Sequence, residues 1–322
     1  MGGKPWKWDL VCRKMSLMKK NPVNSKSTEP KPLDLDLRPG QSIELLKELH
    51  ILTREGKLNQ DSRRKLKQVL HLFQFIEKIL KELSEEDAAK ALKLSVSQPT
   101  IGGALPKGLS LADHGAGKSY LGFIVYDLFF KQLSQGHIYG IETRTELVEA
   151  SRALAKRLDF QRMVFLNTSV AESSQSDLMP SHIDVVTALH ACDTATDDAI
   201  AFGLLKKARA MVLVPCCQAE VAAHLRQNKA LNLSRTPLAE LWRHPLHTRE
   251  IGSQLTNVLR CLYLESKGYA VTVTELVGWE HSMKNELILA HYTGRPKQGA
   301  ADHLQSLLTE FGLQQSLASR YP

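Results

Sequence analysis

The chain is short of several things, and each shortage excludes something. None of its 322 residues falls in an apolar run approaching the ~20 that a membrane-crossing helix needs. Met1 to Lys20 carries Trp6, Trp8 and scattered lysines but no uninterrupted apolar stretch of the kind a secretory leader requires. A soluble, cytoplasmic protein with no membrane partner is the expectation. Cysteine is scarce: Cys12, Cys192, Cys216, Cys217 and Cys261 are odd in number and include an adjacent pair, which is no disulfide framework and points to reduced thiols. Acidic residues are outnumbered, 34 against 42 Lys and Arg, and the net charge of +8 favours an anionic partner such as nucleic acid. Residues 1–38 lack apolar periodicity and read as a flexible arm.

One further absence concerns phosphate binding. Gly117-Lys118-Ser119 fits the end of a G-x-x-x-x-G-K-[ST] loop, but Ala112 stands where the first glycine should be. Asp113 follows it, an acid that would repel a β- or γ-phosphate and would suit a cationic methionine moiety. The stretch Leu109 to Gly122 reads as a buried strand, a glycine turn and the start of a helix, the way open α/β sheets hold a nucleotide-like ligand. S-adenosylmethionine (SAM) is therefore favoured over ATP, with a turn that binds nothing as the plain alternative.

The content of the chain suits that turn. At 43% hydrophobic and 24% charged it has the composition of a globular protein with one α/β domain and a smaller appendage. Residues 39–94 form a helical N-terminal module: Ile43, Leu45, Leu46 and Leu49 recur at helical spacing up to Gly56, and Leu66, Val69, Leu70, Phe73, Ile76 and Leu80 resume it, with a further short helix expected from Ser84. Arg63, Arg64, Lys65 and Lys67 lie largely off that apolar stripe. They are either a solvated face or a surface for RNA phosphates. Residues 95–322 form the second unit. Strands are expected at 108–112, 137–141, 163–166, 183–189 and 210–214, with helices at 118–133, 144–158 and 197–207 between them; a less regular insertion, 219–249, precedes a helix at 250–267, two strands at 269–276 and 286–292, and a C-terminal helix at 300–317. This alternation predicts a Rossmann-like, doubly wound, mostly parallel sheet with its ligand at the C-terminal ends of the strands.

Glu142 closes the second expected strand, where an acid accepts hydrogen bonds from two ribose hydroxyls; alternatively it is a solvated acid at the start of the next helix. The loop around Asn167 is a candidate for contacting adenine. Leu189-His190-Ala191-Cys192-Asp193 and Val214-Pro215-Cys216-Cys217-Gln218 leave the fourth and fifth strands at the same edge. Three readings of them stay open: buried structural groups, a thiolate nucleophile at Cys216 or Cys217 with Cys192 assisting release, and a zinc-type site from His190, Cys192, Cys216 and Cys217 that adjacent cysteines make awkward. No metal is expected on balance, and His190 and Asp193 are candidates for orienting or deprotonating an acceptor.

Together Asp113-His114-Gly115-Ala116-Gly117-Lys118-Ser119-Tyr120-Leu121, Leu189-His190-Ala191-Cys192-Asp193, Val214-Pro215-Cys216-Cys217 and Ser282-Met283-Lys284-Asn285-Glu286-Leu287 resemble the class I SAM-dependent methyltransferases with D-x-G-x-G-K-x-Y-L, L-H-A-C and P-C-C signatures. The resemblance spans about residues 95–292. It implies SAM binding through Asp113, Gly115, Gly117 and Glu142, and His114, Lys118, Tyr120, Thr143, Asn167 and Leu189 complete the candidate cofactor set. Asp193 departs from the glycine common in the family after L-H-A-C. The expected activity is methyl transfer to RNA, ribosomal RNA within that class. A protein or small-molecule methyltransferase, a non-catalytic RNA-binding relative and a P-loop-like ATPase are the alternatives.

Overall fold

The computed structural model describes residues 37–322 except 59, 98–107, 190, 192, 216–217, 229–235 and 277–285. Its centre is a seven-stranded sheet in the order β3-β2-β1-β4-β5-β7-β6. The strands are β1 Ser110–His114, β2 His137–Glu142, β3 Met163–Asn167, β4 Val185–Leu189, β5 Ala210–Val214, β6 Tyr269–Glu275 and β7 Glu286–Tyr292. The first five run parallel, and β7 lies antiparallel to both β5 and β6. Every residue of β1 and β5 is buried, as central parallel strands covered on both faces require. The order reverses between β1 and β4, which puts the topological switch point at their C-terminal ends.

Helices cover both faces: α1 Ile43–Glu48, α2 Gln60–Ser97, α3 Tyr120–Leu128, α4 Thr145–Arg157, α5 Val170–Ser173, α6 Ala195–Leu205, α7 Glu220–Asn228, α8 Pro245–Ser266, α9 Ala300–Glu310 and α10 Gln314–Leu317. One core cluster joins Leu45, Phe73, Ile76 and Leu80 of α1 and α2 to Leu111, Phe123 and Ile124; the other joins Ala112, Val186, Phe202, Leu259 and Leu304. The expected boundary at residue 95 therefore falls in a region whose two sides share one core. Buried Asp127 of α3 ties the two sides further by accepting from the backbone N–H of Ser42, the N-cap of α1, at 2.8 Å.

Several expected boundaries shift. The first strand runs two residues further, placing Asp113 and His114 inside it and not after it, because neighbouring strands pair with both positions. No helix restarts at Ser84: α2 continues unbroken, since no glycine or proline interrupts it and Glu86 and Asp87 are bound by Arg209 at 2.8 Å each. The segment expected as a loose insertion holds α7, a 3-10 turn over Pro237–Trp242 and the first residues of α8, with Pro245 in the first turn of α8, where a proline is tolerated. Gly252 lets α8 approach α7 closely: a Cβ there would sit 2.7 Å from that of Ala222. Among the described residues no helix is long and apolar enough to cross a membrane.

Candidate active site

The turn after β1 is built from backbone that few side chains tolerate. Gly115 and Gly117 take φ of +62° and +56°, and Ser119 joins them at +56° before α3 begins. The Ala116 N–H donates to the Ile141 carbonyl at 3.2 Å, folding the turn over the end of β2. There Glu142 receives it. One carboxylate oxygen accepts from the Gly117 N–H at 2.8 Å and from Arg144 Nη2 at 3.1 Å; the other accepts from the Arg144 N–H at 3.1 Å and from Arg144 Nε at 3.0 Å. Burial alone would raise this carboxyl, but the Arg144 guanidinium and the two backbone N–H groups outweigh it and hold it down at about 2. A carboxylate fixed in its ionised form at the mouth of a glycine turn is an acceptor suited to vicinal hydroxyls. The Arg144 side chain that occupies it is itself mostly exposed.

The other candidates divide between this cradle and the layers beneath it. Asn167, opposite Glu142 in the register of β2 and β3, donates to the Thr143 carbonyl at 2.8 Å and accepts from the Thr145 hydroxyl at 2.8 Å, so it braces the same edge. Thr143 and Lys118 are exposed, Tyr120 half-buried at the start of α3, and Leu189 half-buried at the end of β4. Asp113 lies under the turn, 2% exposed, with its carboxylate accepting from the Thr187 hydroxyl of β4 at 2.8 Å. Burial pushes it up to about 7 against the pull of that hydrogen bond. His114 points to the opposite layer, its ring edge-on to Phe202 at 4.4 Å between centroids, with neither nitrogen hydrogen-bonded; burial lowers it to about 3.

On the acceptor side, His190, Cys192, Cys216 and Cys217 lie outside the described residues, as does most of the Ser282 to Glu286 segment. Asp193 is described. It sits at φ +51°, and its Oδ1 accepts from the N–H groups of Ala219 and Glu220 at 2.9 and 3.2 Å, which joins the loop after β4 to the start of α7. Cys261 is a free thiol in α8, pushed up by burial to about 12. Among the described residues no cluster of His, Cys, Asp or Glu is placed to hold a metal ion. Arg63, Arg64, Lys65 and Lys67 are all exposed on the first turns of α2, away from the cradle in sequence and on a separate element.

Residues 64–224, half of the chain, match the model of a family described as a methyltransferase domain. The chain belongs to that family. It is a class I SAM-dependent methyltransferase, and its doubly wound sheet is the one that this class implies. No curated protein matches the methyltransferase. Among solved structures it is similar to fibrillarin from Aeropyrum pernix in complex with natively bound SAM, at 13% identity over 62% of this chain and 73% of that one with a TM-score of 0.36. It is similar also to an rRNA methylase from Streptococcus thermophilus, at 5% identity over 58% and 87% with a TM-score of 0.34. A third is precorrin-6y C5,15-methyltransferase from Geobacter metallireducens, at 17% over 59% and 82% with a TM-score of 0.35. None of these likenesses bears on what this methyltransferase modifies, and its fold rests on its own strand order.

Spacing and motifs did not single out Arg144 and Thr187, which bond Glu142 and Asp113, nor the buried pair Asn257 and Arg260. Thr187 was visible as the one polar residue within the apolar run Val185 to Leu189, set directly opposite Asp113. Asn257 and Arg260 interrupt the apolar stripe of α8 at positions that are 3% and 0% exposed.

Proposed function

We propose that the methyltransferase binds SAM across the C-terminal ends of β1, β2 and β3 and passes its methyl group to RNA. Glu142 carries this reading, an ionised acceptor placed by the Gly117 N–H where ribose hydroxyls can reach it. In it the guanidinium of Arg144 leaves and the two hydroxyls take its place on the carboxylate. Gly115 and Gly117 let the ligand lie against the backbone, and Thr143 and Asn167 border the adenine end. Asp113 acts from beneath the turn: in its ionised form it favours the positive charges of the methionine moiety. When bound, SAM supplies an electrophilic methyl group on a sulfonium. Asp193, in the loop after β4, borders the acceptor side of that edge, and His190, Cys192, Cys216 and Cys217 are acceptor-side candidates by sequence.

The RNA acceptor is supported by the net charge of +8 and by the four exposed cations at the start of α2. Titration calorimetry with SAM tests the cradle. Wild type should bind, and Glu142→Gln should bind on the order of tenfold or more weakly, the worth of charge-assisted hydrogen bonds replaced by those of a neutral amide. Binding of ATP in place of SAM would overturn the reading. Labelled SAM added with the protein to an extract of cells lacking it then locates the acceptor: label in RNA supports the proposal, whereas label in protein or metabolites replaces it.

A further inference from the structure

Three segments at the acceptor edge each end on a residue of one buried polar cluster. Asp193 closes the segment after β4, Gln218 the segment after β5, and Glu286 opens β7. Two residues of α8 lie between them. Arg260, fully buried, forms a fork with Asp197 of α6 through Nε and Nη2 at 2.9 and 2.6 Å, donates through Nη2 to the Asp193 carbonyl at 2.7 Å, and through Nη1 to Asn257 Oδ1 at 3.2 Å. Asn257 Oδ1 accepts also from Gln218 Nε2 at 3.1 Å, and its Nδ2 donates to Glu286 at 2.6 Å. Ser253 fixes the far end of Gln218 by donating to its Oε1 at 2.5 Å.

The direction of every bond is consistent. Only the oxygen of the Asn257 amide can accept from a guanidinium, which leaves its nitrogen for the Glu286 carboxylate and orients the whole chain of hydrogen bonds. Buried charge of this kind adds little net stability over well-packed apolar residues, so its worth lies in fixing one arrangement of the groups it joins. The groups joined are Asp193, Gln218 and Glu286, one at each of three segments bordering the C-terminal edge of the parallel strands.

We propose that Arg260 and Asn257 are positioning residues for methyl transfer: from α8 they hold Asp193 after β4, Gln218 after β5 and Glu286 at the start of β7 in a single arrangement. This rests on the reading that these three positions border the acceptor. The SAM cradle at Gly115 to Glu142 lies outside the cluster, so cofactor binding and positioning separate.

Hydrogen exchange on the full-length protein provides the first test, with Arg260→Met and Asn257→Leu. Peptides covering 193–198, 218–224 and 286–291 should lose protection together, with 113–119 and 140–144 unchanged. Loss confined to α8, or spread through the sheet, would overturn the proposal and leave a structural role. Kinetics with labelled SAM and the cell extract provide the second. The SAM KM should stay within about twofold while kcat falls on the order of 10- to 100-fold, the effect of misplaced reacting groups. Arg260→Lys should recover part of kcat, because an ammonium can keep Asp197 but not the fork. If Arg260→Met does not fold, Gln218→Met leaves the Arg260–Asp197 pair intact and should show the same split; an unchanged kcat in that variant overturns the proposal. Failure of wild type to bind SAM would instead refute the reading of the cradle, and the exchange pattern would still report on the cluster.

Discussion

Asp113 and His114 are neighbours in β1 with opposite titration behaviour. The Asp113 carboxyl is raised to about 7, so the folded protein holds its proton more tightly than the unfolded chain; its contribution is complete below the ordinary carboxyl range and is lost as pH rises through about 7. His114 is lowered to about 3, so the unfolded chain takes up its proton first; its contribution is complete above the ordinary imidazole value of 6.5 and is lost as pH falls toward about 3. The two oppose one another between about pH 4 and 6.5, flattening that part of the stability profile in wild type. Asp113→Asn keeps an acceptor for the Thr187 hydroxyl and removes the buried charge. Thermal melts should show it more stable than wild type by a few degrees near pH 8 and indistinguishable near pH 4. Calorimetry on the same variant should show weaker SAM binding near pH 8, where wild type carries the negative charge and Asn does not. A variant that gains stability without losing SAM affinity would place Asp113 outside cofactor binding. His114→Leu should uncover the other limb, a gain in melting temperature that is larger near pH 5 than above pH 7, where only the relief of the unbonded ring nitrogens remains.

At the scale of elements, α2 does two things with two parts of its length. Its middle is core: Leu66, Val69, Phe73, Ile76, Leu80 and Leu83 follow helical spacing and are all buried. Between Ser84 and Lys93 no residue is buried, and Arg209, reaching Glu86, Asp87 and Asp184, ties this part of the helix to the sheet. Arg209→Ala should therefore fray residues 84–93, seen as faster amide exchange there with no change at 66–83, for a loss of ~1 kcal/mol or less. The first turns of α2 carry Arg63, Arg64 and Lys67, and their replacement by Glu tests whether that face meets RNA. Affinity for total RNA should fall, and the slope of log K against log salt should flatten by roughly one for each phosphate no longer neutralised. An unchanged slope would make the face a solvated one.

For the molecule as a whole, the parallel alternation, the glycine turn and Glu142 were legible because each is a local pattern: period-two and helical spacing, positive-φ glycines, an acid closing a strand. What escaped was set by packing between distant segments. Arg144 reads as an ordinary helix-start residue until its side chain is found on Glu142, and Arg260 reads as a surface cation until its guanidinium is found on Asp197 of α6. The core that α2 shares with β1 and α3 was not legible for the same reason, since residue spacing in α2 shows that a face is apolar without showing what covers it. That shared core has a consequence for unfolding. Phe73 and Ile76 of α2 pack in one cluster with Leu111 of β1 and Phe123 and Ile124 of α3, the strand and helix that flank the glycine turn. Removing the Phe73 ring should destabilise by about 3 to 5 kcal/mol, and the loss should reach the cradle although Phe73 lies far from it in sequence. In urea titrations of Phe73→Ala, the midpoint followed by SAM binding and the midpoint followed by helix signal should move down together. A module that folds on its own would instead lose its helix signal first, with SAM binding surviving to the wild-type midpoint.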